Sequence, residues 1–140
     1  MKLLIQKLHP DAMTPTFAHP EDAGMDLYAL EAVVIPPGAR VQVPTGIACA
    51  IPLGYAGLFW DKSGLSHKRG LKVMGGVIDA GYRGELLVGL MNLGSEPHSI
   101  GKGDKITQML IQKVEHPELV VVETLDATVR GEGGFGSTGT

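Results

Sequence analysis

Apolar and polar positions in this chain alternate in short bursts, and almost nowhere at the spacing of a helix face. Leu3 to Leu8 predicts a first strand, followed by a loop from His9 to Asp22. In Ala23-Gly24-Met25-Asp26-Leu27-Tyr28-Ala29, apolar Met25, Leu27 and Ala29 alternate with Asp26 and Tyr28. That is the period of a half-buried strand, with Asp26 on its polar face. Val33 to Ile35 predicts a short strand closed by Pro36-Pro37-Gly38, and Arg40 to Val43 a strand closed by Pro44-Thr45-Gly46. Ile47 to Ile51 and Tyr55 to Trp60 follow, separated by the turn Pro52-Leu53-Gly54. Ser63 to Gly70 is the helical exception, with Ser63 as N-cap, Lys68 and Arg69 in the last turn and Gly70 ending it.

Beyond the helix, Leu71 to Ile78 and Leu86 to Leu93 predict a β-hairpin whose tip carries Asp79 and Tyr82. Residues 100 to 104 make a turn, Ile106 to Val114 a long strand, and Leu119 to Val122 a last one. After Thr124 the apolar content collapses into a glycine-dense tail. The expected fold is all-β, a sandwich or barrel of short strands with one short helix.

Composition narrows this picture without changing it. Twenty Gly and nine Pro are spread along 140 residues, so they punctuate many short segments and leave no room for long helices. Hydrophobic residues at 44% and charged residues at 19% describe one ordinary globular domain. A net charge of −3 gives no reason to expect direct nucleic-acid binding or an acidic membrane as partner. Cys49 is the single cysteine, which excludes a disulfide framework. No run approaches the roughly 18 apolar residues of a membrane span, and the expected location is cytoplasmic.

Five clusters interrupt the strand pattern. Asp79, at the tip of the hairpin, either bonds its own turn backbone or serves as a carboxylate base. Asp26 is either a solvated strand residue or a ligand, through water, for a hard cation such as Mg²⁺. Lys62-Ser63-Gly64 opens the helix, where free N–H groups, a cation and a hydroxyl make a phosphate cradle, although an ordinary N-cap explains Ser63 equally well. Gln108 either reads a ligand with its amide or pairs with backbone. In the tail, Arg130, Phe135, Ser137 and Thr138 are interleaved with glycine. A mere linker needs neither Arg nor Phe, whereas an arm closing over a phosphorylated ligand uses the cation, the hydroxyls and a stacking ring. A frayed terminus is the alternative. Together the clusters supply what hydrolysis of a nucleoside polyphosphate requires.

The order Ala23 to Ala29, Lys62-Ser63-Gly64-Leu65, Gly76-Val77-Ile78-Asp79-Ala80-Gly81-Tyr82-Arg83-Gly84, Gly103-Asp104-Lys105-Ile106-Thr107-Gln108 and Arg130 to Gly139 resembles the five ordered motifs of the trimeric dUTPases. The resemblance spans nearly the whole chain. It implies a homotrimer of distorted, jelly-roll-like (β-clip) barrels with active sites at subunit interfaces. Residues 1–125 would form the β domain, and residues 126–140 an arm completing a neighbour's site. The substrate would be dUTP and the products dUMP and pyrophosphate, which limits uracil in DNA and supplies dUMP for dTMP synthesis.

By the same resemblance, Gly76, Val77 and Ile78 would bind deoxyuridine, and Asp79 would activate the water that attacks the α-phosphorus. Tyr82 would exclude a 2′-hydroxyl. Lys62, Ser63, Gly64 and Gln108 would meet the phosphates, and Asp26 would hold Mg²⁺ through water. Arg130, Phe135, Gly136, Ser137 and Thr138 would come from a neighbouring subunit.

The chain departs from the family pattern at Lys62, where Arg is usual, so the bidentate fork for phosphate is lost while the charge is kept. Gly81 stands where an acid is common, and Thr107 where Ala is usual. Two rival readings have their own tests. The dCTP deaminases resemble this family, yet they place a Glu in the outgoing hairpin strand where this chain has Gly89. A non-catalytic trimeric binding module would not need a closing arm.

Overall fold

The computed structural model describes residues 1–134. Eleven strands and one helix are found in them, in the order β1 (Leu4–Lys7), β2 (Met25–Tyr28), β3 (Val33–Ile35), β4 (Arg40–Pro44), β5 (Ile47–Ala50), β6 (Tyr55–Trp60), α1 (Ser63–Arg69), β7 (Leu71–Met74), β8 (Val77–Ile78), β9 (Leu87–Asn92), β10 (His98–Ile100) and β11 (Lys105–Lys113). They form four small antiparallel sheets with strand orders β1-β5, β10-β3, β2-β11-β6-β8 and β4-β9-β7. The fold is mostly β, as the pattern predicts, and the sheets do not close into a barrel.

The sheets pack on one apolar core. Leu27, Ile35, Val43, Ile47, Leu86, Val88, Leu90, Ile106 and Met109 are almost fully buried in it, and all four sheets contribute, with Leu86 coming from the connection into β9. Strict alternation along β9 puts Val88, Leu90 and Asn92 inside and Leu87 outside. The same period in β7 buries Leu71 and Val73.

The predicted hairpin exists, but it is split. β7 pairs with β9 from Leu71↔Asn92 to Met74↔Gly89. Then Gly75 and Gly76, at φ 68° and 106°, turn the chain out of that sheet. β8 joins β6 instead, through Gly57↔Ile78 and Leu58↔Val77. Gly76 is obligatory here on two counts. Its φ is in the region side chains avoid, and a Cβ would lie 2.8 Å from Cβ of Phe59.

Three further expectations are corrected. β2 is buried on both faces, because Met25 and Leu27 enter the core while Lys62 and Lys105 cover Asp26 on the other face; Thr16 and β11 pair with its two edges. Asp26 is only 4% exposed, not solvated on an outer face, and Tyr28 is buried with its hydroxyl 2.5 Å from Oγ1 of Thr16. Ser63 is the first helical residue and Lys62 the N-cap, which makes no side-chain capping bond. Gly70 ends α1 in the left-handed conformation, as expected. Leu119 to Val122 is no strand: Leu119 is 89% and Val121 98% exposed. Strand propensity alone does not order a segment without a ladder partner. No described helix is long and apolar enough to cross a membrane.

Candidate active site

The loop from Asp79 to Leu86 is built by its own backbone and anchored at its far end. Tyr82 N–H donates to the Asp79 carbonyl at 3.1 Å. Arg83 Nη1 donates to the carbonyls of Ala80 and Tyr82, each at 2.7 Å. The Asp79 carboxylate takes no part in these bonds and lies exposed. Downstream, the Gly46 N–H donates to Oε1 of Glu85 at 2.7 Å, Thr45 Oγ1 to the Leu86 carbonyl at 2.8 Å, and Leu86 N–H to the Ile47 carbonyl at 2.7 Å. The Tyr82 hydroxyl folds back to donate to the Glu85 carbonyl at 3.0 Å. It lies directly over Gly84, where any Cβ would collide with it. The result is a hollow of about 250 Å³ lined by Gln42, Val77, Ile78, Asp79, Tyr82, Glu85 and Leu87. Gly76 lines a neighbouring groove that shares Gln42 and Leu87 with it.

A second hollow, of about 320 Å³, is lined by Lys62, Ser63, Gly64, Leu65, Lys105 and Gln108. Strand register assembles it. Gln108 of β11 stands opposite Asp26 on β2 and opposite Trp60 at the end of β6, and Lys62 follows two residues later. Lys62 Nζ pairs with Oδ1 of Asp26, and Lys105 Nζ with Oδ2 at 2.7 Å. Burial pushes the Asp26 carboxyl up, but its hydrogen bonds to the two ammoniums outweigh that and hold it below the usual carboxylate range. Gln108 Nε2 donates to the Asp61 carbonyl at 2.9 Å.

Lys105 escapes a simple period-2 reading, since 105 and 108 differ by an odd number. A bulge resolves this: Lys105 pairs with Tyr28 and Thr107 with Leu27, so two steps on β11 match one on β2. Lys105 and Gln108 therefore reach the same hollow. The only signal in the sequence is that Lys105 lies within the motif that contains Gln108. Gln42, Glu85 and Leu87 are brought to the first hollow by cross-strand neighbours that no local pattern reveals.

The two hollows share no lining residue. β6 and β8 are antiparallel, so Asp79 emerges beside the start of β6 while Lys62 follows its end. The offset is six residues, about 20 Å at strand rise. Within one chain, Asp79 is thus remote from the cationic cradle. Arg130 lies exposed in a turn, with Nε donating to the Gly133 carbonyl at 2.6 Å. Phe135, Gly136, Ser137 and Thr138 lie outside the described residues.

Among the described residues, no group of three His, Cys, Asp or Glu could hold a metal ion. Asp26 offers one carboxylate, and both of its oxygens already meet ammoniums. That donor set fits magnesium only if the ion keeps its own waters and takes most of its remaining ligands from phosphates, which is its usual habit.

One hollow thus has a carboxylate at its lip, and the other has two ammoniums beside the start of a helix. The family model described as dUTPase matches residues 11–139. The deoxyuridine 5'-triphosphate nucleotidohydrolase of Mycolicibacterium gilvum is 49% identical over 145 residues, covering 98% of this chain and 94% of its own. That of Thermobifida fusca is 47% identical over 142 residues, covering 99% and 79%. Among solved structures, a mutant Staphylococcus bacteriophage 80alpha dUTPase with dUpNHpp superposes with a TM-score of 0.94 at 32% identity, covering 99% of both chains. A mutant dUTPase from phage phi11 of S. aureus, described with a structural Mg(II) ion, gives 0.83 at 31% identity, covering 89% of this chain and 98% of that one. The chain belongs to the dUTPase family.

Proposed function

We propose that this protein hydrolyses dUTP to dUMP and pyrophosphate, with each active site assembled from more than one subunit of a homotrimer. One observation carries the assembly. The Asp79 hollow and the Lys62–Gln108 cradle are chemical halves of one phosphoryl-transfer site, yet they sit at opposite ends of β6. A base and the phosphates it serves have to be adjacent, so the cradle facing a given Asp79 comes from another copy. The apolar run Leu119 to Val122, exposed in one chain, supports the same reading, since such a strip is normally covered by a partner.

In this mechanism the first hollow takes the base and sugar, with Tyr82 against the deoxyribose. Asp79 orients a water and accepts its proton as the water oxygen bonds to the α-phosphorus. The bond to the bridging oxygen breaks, and pyrophosphate leaves. A carboxylate is a weak base at neutral pH. Alignment and charge neutralisation therefore supply most of the rate. Lys62, Ser63, Gly64 and Gln108 bind the phosphates, and residues 126–140 act as an arm, with Arg130, Phe135, Gly136, Ser137 and Thr138 closing over the substrate. Mg²⁺ carried on the triphosphate would add further charge neutralisation, with Asp26 accepting from one of its waters.

Gly89 has no carboxylate to offer for deamination, and the Met74 carbonyl would lie 2.9 Å from any Cβ there. The deciding experiment is pyrophosphate release from dUTP, dTTP, dCTP and UTP in the presence of Mg²⁺. Turnover of dUTP with little of the others is expected. Equal turnover of all four would refute the specificity.

A further inference from the structure

The groups that face the phosphates ride on a segment that does little to hold itself in place. α1 is seven residues long, buries none of them, and has no side-chain cap at Lys62. A helix of this length has no independent stability in water. The restraint comes from the residue just before it. Asp61 Oδ1 accepts from the Val73 N–H at 2.7 Å and Oδ2 from Lys72 Nζ at 2.5 Å. Its carbonyl accepts from Gln108 Nε2 at 2.9 Å. Lys72 and Val73 belong to the β4-β9-β7 sheet, and Gln108 to the β2-β11-β6-β8 sheet. One residue therefore ties both sheets to the corner where β6 passes into α1.

The two bonds to the Asp61 carboxylate are charge-assisted, a kind about twice as strong as neutral ones. The third bond also fixes the amide of Gln108. One Nε2 hydrogen goes to Asp61, and Oε1 lies against Gly24, where a Cβ would stand 2.9 Å from it. The second Nε2 hydrogen is then aimed by the same restraint.

We propose that Asp61 is a positioning residue for the triphosphate half-site: it touches no substrate, but it holds Lys62, Ser63, Gly64 and Gln108 in the arrangement that receives the phosphates. The inference rests on the reading of that hollow as a phosphate cradle.

The test uses the full chain with Asp61→Ala and Asp61→Asn, measuring kcat and KM for dUTP together with binding of dUpNHpp and of dUMP. Asp61→Ala should raise KM and weaken dUpNHpp binding by about tenfold. The affinity for dUMP, which engages chiefly the Asp79 hollow, should hold. Asp61→Asn, which keeps an acceptor for Val73 N–H, should recover most of the loss. Equal weakening of both ligands, or no change in either, overturns the proposal. Should the alanine variant not fold, Asp61→Asn carries the same comparison with an expected ratio of about threefold. If the wild-type chain leaves dUTP intact, it is the functional reading that fails. Amide exchange then tests Asp61 alone, because a substitution here must speed exchange in Leu65–Gly70 and leave β9 unchanged. Unaltered exchange in that segment would overturn the role.

Discussion

Asp26 on β2 and Gln108 on β11 stand directly opposite one another in an antiparallel ladder. Their side chains leave the same face of the sheet, as opposed residues do. The cradle is therefore assembled by strand register as much as by loop conformation. Asp26 brings Lys62 and Lys105 together, because both ammoniums pair with its buried carboxylate.

The proposed division of the site between copies predicts complementation. Asp79→Asn alone should keep the fold and lower turnover by roughly a hundredfold or more. Lys62→Met should impair the other half. Unfolding the two variants together and refolding them as mixed trimers should restore dUTP hydrolysis that neither shows alone. Mixed trimers as inactive as their parents would place both halves of each site in one chain.

Gly84 should control sugar selectivity without touching the ligand. A side chain there displaces the Tyr82 hydroxyl from its bond to the Glu85 carbonyl. Gly84→Ala is expected to admit UTP, as Tyr82→Ala should, while dUTP turnover falls less. Competition assays with UTP measure this, and unchanged discrimination in both variants would mean that the 2′ position is read elsewhere.

Lys62 supplies a point charge where Arg would supply a fork. Lys62→Arg should lower KM for dUTP by a few-fold at similar kcat, since a bidentate phosphate contact adds on the order of 1 kcal/mol. A raised KM would show that the pair with Asp26 needs the smaller ammonium.

Asp61 predicts an acid-sensitive share of the stability. Burial pushes its carboxyl up, but the Lys72 ammonium and the Val73 N–H bring it below the usual range. A group whose folded pKa is depressed stabilises above its unfolded value, about 3.9, and loses that contribution as pH falls through the folded value. The thermal midpoint of the wild type should exceed that of Asp61→Asn at neutral pH, and the gap should close below about pH 4. A gap independent of pH would deny the ionised pair its role.

Much of the architecture was legible in the sequence. Period-2 patterning and proline–glycine punctuation located β3 and β6 at their observed bounds and the other predicted strands within a few residues, except the last and the stretch Leu71 to Ile78. Gly70 marked the end of α1, because a left-handed residue there favours glycine. The clusters at Asp79, Lys62-Ser63-Gly64 and Gln108 stood out because each breaks a pattern that packing alone would have kept. β10 went unmarked, because His98-Ser99-Ile100 has two polar residues and no apolar run to announce it.

What only the tertiary structure decided is relational. Asp26 looked like an outward residue, and it is buried because Thr16 and two lysines arriving from elsewhere in the chain cover it. Lys105 joined the cradle through a bulge, which depends on the partner strand. Leu119 to Val122 has strand composition but no ladder among the described residues. The stretch from Leu71 to Ile78 promised one strand, and Gly75-Gly76 divided it between two sheets. Local sequence sets which conformations are cheap, but burial, register and pairing depend on residues far along the chain. Those long-range contacts set Asp79 apart from the cradle.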